Sequence, residues 1–263
     1  MNLEKYLIDV LHHLGTNPKR VISKEEIIAV VDMTLLNEQA SPETLQAFFK
    51  KAQSLPIAAI CLLPKHLSSI PNTLTAKRAT VINFPDGKTE CSQLVAELST
   101  LLMHNHIDEI DFVFPYRTYL QQNKQTALDC TASCYELCKQ QQITFKVILE
   151  TGAFTSPELI YQASLDIIAT GCDFLKSSTG KIPQGVTIPD AFAMLMAIHH
   201  AKSTTGIKLS GGITTEQQAQ TYIYLAEYLL EKPITSTWFR IGASSLIDEL
   251  VGSTRHTARS QAT

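Results

Sequence analysis

The chain has 263 residues, 44% hydrophobic and 18% charged, which supplies a large core and excludes a chain disordered throughout. Lys and Arg number 22 against 25 Asp and Glu, for a formal charge of -3, so the basic excess of a broad nucleic-acid surface is excluded. The longest uninterrupted apolar runs, such as Ala191 to Ile198, fall far short of the roughly 20 residues that a membrane span requires.

Length alone allows two domains of about 150 residues or one α/β barrel of roughly 250. At the N-terminus, Glu4, Lys5 and Asp9 interrupt the apolar positions between Met1 and Arg20. This pattern predicts an amphipathic helix, in a helical extension reaching to about residue 24, and not the continuous apolar centre of a signal peptide. Short β-rich apolar segments then recur at Ile27–Thr34, Ile57–Pro64, Ala79–Pro85, Glu109–Pro115, Phe145–Thr151, Phe174–Thr179, Gly206–Gly212 and Trp238–Ala243. Their mean interval is about 30 residues, the size of a βα unit.

Helical stretches lie between them at Ser41–Gln53, Lys88–Asn105, Lys124–Gln141, Ser156–Thr170, Pro189–Ala201 and Thr215–Leu230. Ser41-Pro42-Glu43 and Ser156-Pro157-Glu158 each place a Ser at the N-cap and a Pro at the first helical position. Gly171 stands where a helix ending near Thr170 would stop. Alternating strands and helices predict a parallel sheet with right-handed crossovers, and eight of them predict closure into a (β/α)8 TIM barrel behind the N-terminal helix. The competitor, an open doubly wound sheet, lacks a G-x-G-x-x-G after the first strand. No linker or low-complexity tract divides the chain, so residues 1–263 read as a single domain. Val251–Thr263 is polar without apolar periodicity and reads as a mobile tail.

Cys130, Cys134 and Cys138 repeat every four residues and share one helix face, as buried thiols or, with convergent partners, as metal ligands. No His lies near them in sequence, and six cysteines in a chain of this length do not form a disulfide framework, so a reduced, cytoplasmic enzyme is the default reading. His104, His106, His199 and His200 fall at predicted helix ends, where they cap or face solvent and do not read as metal ligands.

Barrel strands normally fill the interior with branched apolar side chains. Here Asp32, Asp111, Lys146, Lys176 and Lys208 interrupt strand segments, and Lys146 and Glu150 lie four apart on one face by period two. Buried charges require partners, so these groups form either a structural network or a catalytic centre. Lys176 and Lys208 occupy consecutive strands, which are neighbours about 4.8 Å apart in a barrel. A nucleophilic lysine must be neutral, against a reference pKa of about 10.4. A like charge at about 5 Å, in an effective dielectric near 20, opposes its protonation by about 3.3 kcal/mol. Such a pair suits Schiff-base chemistry, although two independently paired structural lysines have the same spacing.

The last three strand ends carry small polar turns, Ser178-Thr179-Gly180-Lys181, Ser210-Gly211-Gly212 and Gly242-Ala243-Ser244-Ser245. Glycines let backbone amides approach an anion, hydroxyls add donors, and this end of a barrel is a frequent phosphate site.

The same segments resemble the 2-deoxy-D-ribose-5-phosphate aldolase family of class I aldolases. The likeness runs from about residue 25 to 250, through stretches 32–37, 60–64, 81–85, 108–117 and 146–152, and is most specific at 173–181, 208–212 and 240–245. It implies Lys176 as the Schiff-base lysine, Lys208 as the lysine that depresses its pKa and Asp111 as the acid/base partner. The family reversibly cleaves 2-deoxy-D-ribose 5-phosphate to acetaldehyde and D-glyceraldehyde 3-phosphate without metal or organic cofactor, commonly as a homodimer. The implied phosphate site is Gly180, Lys181, Gly211, Gly212, Gly242, Ser244 and Ser245. Asp32, Thr34 and Cys61 resemble pocket residues, with packing as the other role open to each and the one Cys61 reads as first, a buried small hydrophobe; Lys146, Thr179 and Ser210 complete the expected binding set.

Three positions depart from that family. Its members often end in a Tyr that reaches the site, whereas this chain ends Ser260-Gln261-Ala262-Thr263. Ile213-Thr214 stands where an Arg commonly follows the Gly-Gly turn, and Leu209 replaces a small residue or Pro. A sibling class I aldolase acting on another sugar phosphate and a non-catalytic sugar-phosphate-binding barrel are the competing expectations.

Overall fold

The computed structural model describes residues 3–121 and 123–252. Eight parallel strands close into a barrel in sequence order, β1 (Val31–Leu35), β2 (Ala59–Leu62), β3 (Lys77–Ile82), β4 (Glu109–Val113), β5 (Thr144–Ile148), β6 (Phe174–Lys176), β7 (Gly206–Ser210) and β8 (Phe239–Ala243), with β8 pairing back onto β1. The fold is thus the (β/α)8 barrel that the sequence pattern predicts.

Outside the sheet lie α1 (Leu3–Thr16), α2 (Lys24–Ala29), α3 (Pro42–Gln53), α4 (Cys91–His104), α5 (Tyr116–Leu120), α6 (Lys124–Gln140), α7 (Pro157–Thr170), α8 (Ile188–His200) and α9 (Glu216–Leu230). Their ends follow local chemistry. The Ser41 and Ser156 hydroxyls accept the Thr44 and Leu159 amides, with Pro in the first turn of each helix. Thr187 and Thr215 form capping boxes with Asp190 and Gln218. Gly171 ends α7 at φ 113°.

Two expected elements differ. Ile27–Val30 is not strand: the Ser23–Glu26 capping box starts α2, and Val30 caps its end. The N-terminal extension is not one helix to residue 24, because Pro18 disfavours a helical Asn17 and α1 stops at Thr16. Between β2 and β3 runs only a six-residue 3-10 turn, Pro64–Ser69, with Pro71 just beyond it. The expected tail lies outside the described residues from 253 onward, while 251 and 252 continue a helical segment that begins at 246.

The apolar core has two compartments. The larger fills the space between sheet and helices. There α8 is buried around its whole circumference from Asp190 to Ile198, because α1 packs on it as well as α7 and α9, and Tyr6 meets Phe192 edge-on at 5.8 Å; Leu3, Leu7 and Val10 of α1 are buried in the same core. Cys130, Cys134 and Cys138 face this core from α6 as free, buried thiols. The smaller compartment is inside the barrel, where β2 and β3 contribute Ala59, Cys61, Ala79 and Val81, closed over by Leu36 and Leu63. Beside it the interior holds charged side chains, with Phe174 beneath the Arg240 guanidinium. No helix among the described residues is long and apolar enough to cross a membrane.

Candidate active site

Seven charged side chains from six strands converge on the barrel axis: Asp32, Glu109, Asp111, Lys146, Lys176, Lys208 and Arg240, none more than 6% exposed. Parallel register places them together, because Lys176 pairs with Lys208, Lys208 with Arg240, and Asp111 with Lys146. Asp111 is the hub. Its Oδ2 accepts from Lys176 Nζ at 2.8 Å and from Lys208 Nζ at 2.7 Å, and its Oδ1 accepts from Lys146 Nζ at 2.9 Å. Lys208 also pairs with Asp32 at 2.6 Å, and Lys146 with Glu109 at 2.5 Å. Arg240 closes the ring, donating to Asp32 at 2.6 Å and to Glu109 at 2.9 Å.

Burial works against the charges of Asp32, Asp111, Lys146 and Lys208, yet their partners outweigh it. Lys146, Lys176 and Lys208 hold the Asp111 carboxyl well below the usual carboxylate range despite complete burial. Asp32 lies below that range through Lys208, Arg240 and Lys146, again against burial. The Lys208 and Lys146 ammonium groups are in turn raised above the ordinary lysine value, Lys208 by Asp111 and Asp32 and Lys146 by Asp111 and Glu109, both against desolvation. Cys61 approaches Asp111 Oδ2 at 3.8 Å, and burial, reinforced by that carboxylate, pushes its thiol up to about 11. It is a neutral, packed thiol.

Above this cluster, at the C-terminal ends of the strands, opens a cleft of about 500 Å³. Lys176 is the member of the ionic cluster that lines it. Thr34, Thr179, Gly180, Lys181, Ser210, Gly211, Gly212, Gly242, Ser244 and Ser245, all expected from sequence, line it too. Among the described residues, its wall holds two lysines and no carboxylate, which suits an anionic ligand. Asp32, Cys61 and Lys146 do not reach the cleft. They are buried beneath it, with no exposed surface, so their place is in the ionic and apolar floor and not in the binding wall.

The loops depart from expectation in further ways. Gly180 and Lys181 do not offer free amides, since these donate to the Ser178 and Thr179 hydroxyls at 2.8 and 3.1 Å. Lys181 Nζ reaches across the cleft to the Leu36 carbonyl at 2.8 Å, which leaves two of its three donors. Gly211 and Gly212 adopt φ of 92° and 83°, a left-handed turn that favours glycine. Thr214, two residues after the Gly-Gly turn, is committed to the start of α9: its amide donates to Gln218 Oε1 at 2.8 Å. Glu150 does not share the interior face of Lys146, because β5 ends at Ile148 and Glu150 turns to φ 60°.

Sequence reasoning missed Glu109 and Arg240 as members of the cluster. Arg240 had a usable signal, a cation within an apolar strand segment directly beside Lys208 in register. Among the described residues no group of three or more His, Cys, Asp or Glu side chains converges as a metal site.

Residues 26–226 match the model of the DeoC/LacD family of aldolases. Among solved structures, the chain is similar to the aldolase QR15 at 25% identity and a TM-score of 0.73, over 89% of this chain and 98% of that one. It is also similar to a deoxyribose phosphate aldolase from Aeropyrum pernix, described as having a unique tetrameric structure, at 24% identity and a TM-score of 0.72, over 94% and 96% of the two chains. A Coccidioides immitis protein, provisionally named as a deoxyribose-phosphate aldolase, shares the fold at 22% identity and a TM-score of 0.76, over 97% and 98%.

Proposed function

Because the chain belongs to the DeoC/LacD family of aldolases, carbon–carbon lyases, we propose that it reversibly cleaves 2-deoxy-D-ribose 5-phosphate to acetaldehyde and D-glyceraldehyde 3-phosphate through a Schiff base on Lys176. The observation that carries this reading is the charge balance beneath the cleft. Four cations, Lys146, Lys176, Lys208 and Arg240, surround three carboxylates, Asp32, Glu109 and Asp111. Loss of one proton therefore leaves three cations against three carboxylates. Lys146, Lys208 and Arg240 each hold two carboxylates, whereas Lys176 holds only Asp111 and alone lines the cleft. It is the amine with the fewest carboxylate partners and the one placed to meet the substrate.

The neutral Lys176 Nζ attacks the C1 aldehyde of the open-chain sugar, and the carbinolamine loses water to give an iminium. Removal of the C3 hydroxyl proton sends the C2–C3 bonding electrons into the iminium, releasing glyceraldehyde 3-phosphate and leaving an enamine. Protonation of the enamine at C2 and hydrolysis then release acetaldehyde and regenerate Lys176. Asp111 does not line the cleft, so it acts on these protons through the ammonium groups it holds or through water. The phosphate lies against Gly211, Gly212, Ser244, Ser245 and the free donors of Lys181. Reduction with borohydride in the presence of acetaldehyde should leave one adduct, mapped to Lys176, and Lys176→Ala should abolish turnover. An adduct elsewhere, or turnover that chelators remove, overturns the reading.

A further inference from the structure

The connection after β6 supplies Ser178, Thr179, Gly180 and Lys181 to the cleft, and its own hydroxyl-to-amide bonds and its bonds to Ser210 are not its only support. It lies on the connection after β5. The Leu149 amide donates to the Lys176 carbonyl at 2.8 Å, and the Thr151 amide to the Ser177 carbonyl at 2.9 Å. A Cβ on Gly152 would stand 2.6 Å from the Gln184 carbonyl oxygen, so the two backbones touch there with no side chain between them.

Glu150 sits in the middle of this bed with no exposed surface. Its backbone is left-handed, at φ 60° and ψ 61°, a conformation disfavoured for a residue with a Cβ and retained only where the surroundings impose it. That turn takes the carboxylate out of the strand alternation and aims it at Thr179. Oε1 accepts the Thr179 amide at 3.2 Å, and Oε2 accepts the Thr179 hydroxyl. The same hydroxyl oxygen accepts the Lys181 amide at 3.1 Å. A buried acidic side chain is thus the anchor of a relay, Glu150 to Thr179 to Lys181, whose last two members line the cleft while Glu150 does not. Burial pushes the Glu150 carboxyl up, and the two Thr179 bonds and the nearby Lys176 ammonium oppose that shift.

We infer that Glu150 is a positioning residue for the phosphate-binding side of the cleft, acting through Thr179 to fix the backbone of Gly180 and Lys181. The inference rests on the aldolase reading above. It divides the labour around Lys176: Asp111 holds the amine from below, and Glu150 holds the loop beside it.

The test separates binding from chemistry. In Glu150→Gln the hydroxyl relay is disrupted, so KM for 2-deoxy-D-ribose 5-phosphate should rise at least tenfold while kcat per active site falls less than threefold. Active sites are counted by borohydride trapping with acetaldehyde, which carries no phosphate, and the trapping rate should stay within twofold of wild type. Thr179→Val should raise KM in the same way, and the double variant should be no worse than the poorer single one, because both changes break one relay. A KM within twofold of wild type in Glu150→Gln, or a trapping rate that falls in step with the rise in KM, overturns the inference. If Glu150→Gln does not fold, Thr179→Val decides: a fivefold or greater rise in KM supports the relay and an unchanged KM overturns it. Failure of the wild-type protein to form an adduct on Lys176 would overturn the aldolase reading itself, a result distinct from any of these.

Discussion

Lys176 and Lys208 donate to the same oxygen atom, Oδ2 of Asp111, at 2.8 and 2.7 Å. The two ammonium groups are neighbours in register, as consecutive strands require, yet they do not face each other bare, because a carboxylate bridges them. Asp111→Asn keeps the shape and removes the charge, so kcat should fall by about 10²–10⁴-fold, the range for loss of a positioned acid/base group. Lys146, Lys176 and Lys208 lose a partner at once, and the cost in urea unfolding should be about 3–5 kcal/mol, as for other broken buried pairs. Full turnover in this variant would remove Asp111 from the mechanism.

Arg240 should behave differently. It bridges Asp32 and Glu109 beneath the cleft and does not line it. Arg240→Met leaves two buried carboxylates short of a cation and should cost about 3–5 kcal/mol in urea unfolding. In the folded fraction, kcat should fall much less than in Asp111→Asn. Adding Glu109→Gln should recover part of the stability, and a double-mutant cycle measures that coupling.

The pH dependence of stability has a definite sign. Asp32 and Asp111 have folded values below the usual range, so their contribution is complete above the unfolded value of about 3.9 and is lost as pH falls through the lower folded values. Lys146 and Lys208 have raised folded values, so theirs is complete below about 10.4 and is lost as pH rises through the higher folded values. Between those limits the four groups bind no net protons on unfolding, and urea midpoints should be nearly flat in their contribution. Glu150 is the exception. Its raised folded value means that its contribution is present at low pH and declines as pH rises through that value, a slope that Glu150→Gln should remove.

Gly185 touches Gly211 backbone to backbone: a Cβ on Gly185 would stand 2.2 Å from the Gly211 carbonyl oxygen. No side-chain rotation relieves that contact, so Gly185→Ala must displace the Gly-Gly turn. The expected result is a rise in KM for the sugar phosphate of at least tenfold, with a stability loss of about 1–3 kcal/mol from overpacking. Steady-state kinetics and thermal unfolding check the two parts separately.

The barrel was legible because its signals are local. Alternating apolar segments, the Ser-Pro helix starts and Gly171 act within a few residues of themselves, and each appears in the structure at the expected place. The interior lysines were legible for a similar reason, since a charge inside an apolar strand needs no partner to be noticed. What could not be read was how the charges are shared. Glu109 and Arg240 stand 131 positions apart in sequence, and their pairing is created by barrel closure. Asp32, Cys61 and Lys146 were expected in the binding wall, but depth along the barrel axis depends on strand register and shear, which no local pattern encodes. Glu150 was misread because period two holds only while a strand lasts, and β5 ends two residues before it.

The cover that α1 places over α8 has a consequence in time. The buried stripe of α1, Leu3, Leu7 and Val10, belongs to one side of that packing, and Phe192, met by Tyr6, to the other, almost the full length of the barrel later. At ribosomal speeds of about 5–20 residues per second, the helix emerges roughly 10–40 s before its partner exists. Throughout that interval its apolar stripe has nothing native to bury against, and the barrel cannot close, because β1 awaits β8 over a similar span. The nascent chain therefore carries an oily helix with no home until synthesis is nearly complete. It is in that window, more than in the finished protein, that aggregation and chaperone capture compete with folding.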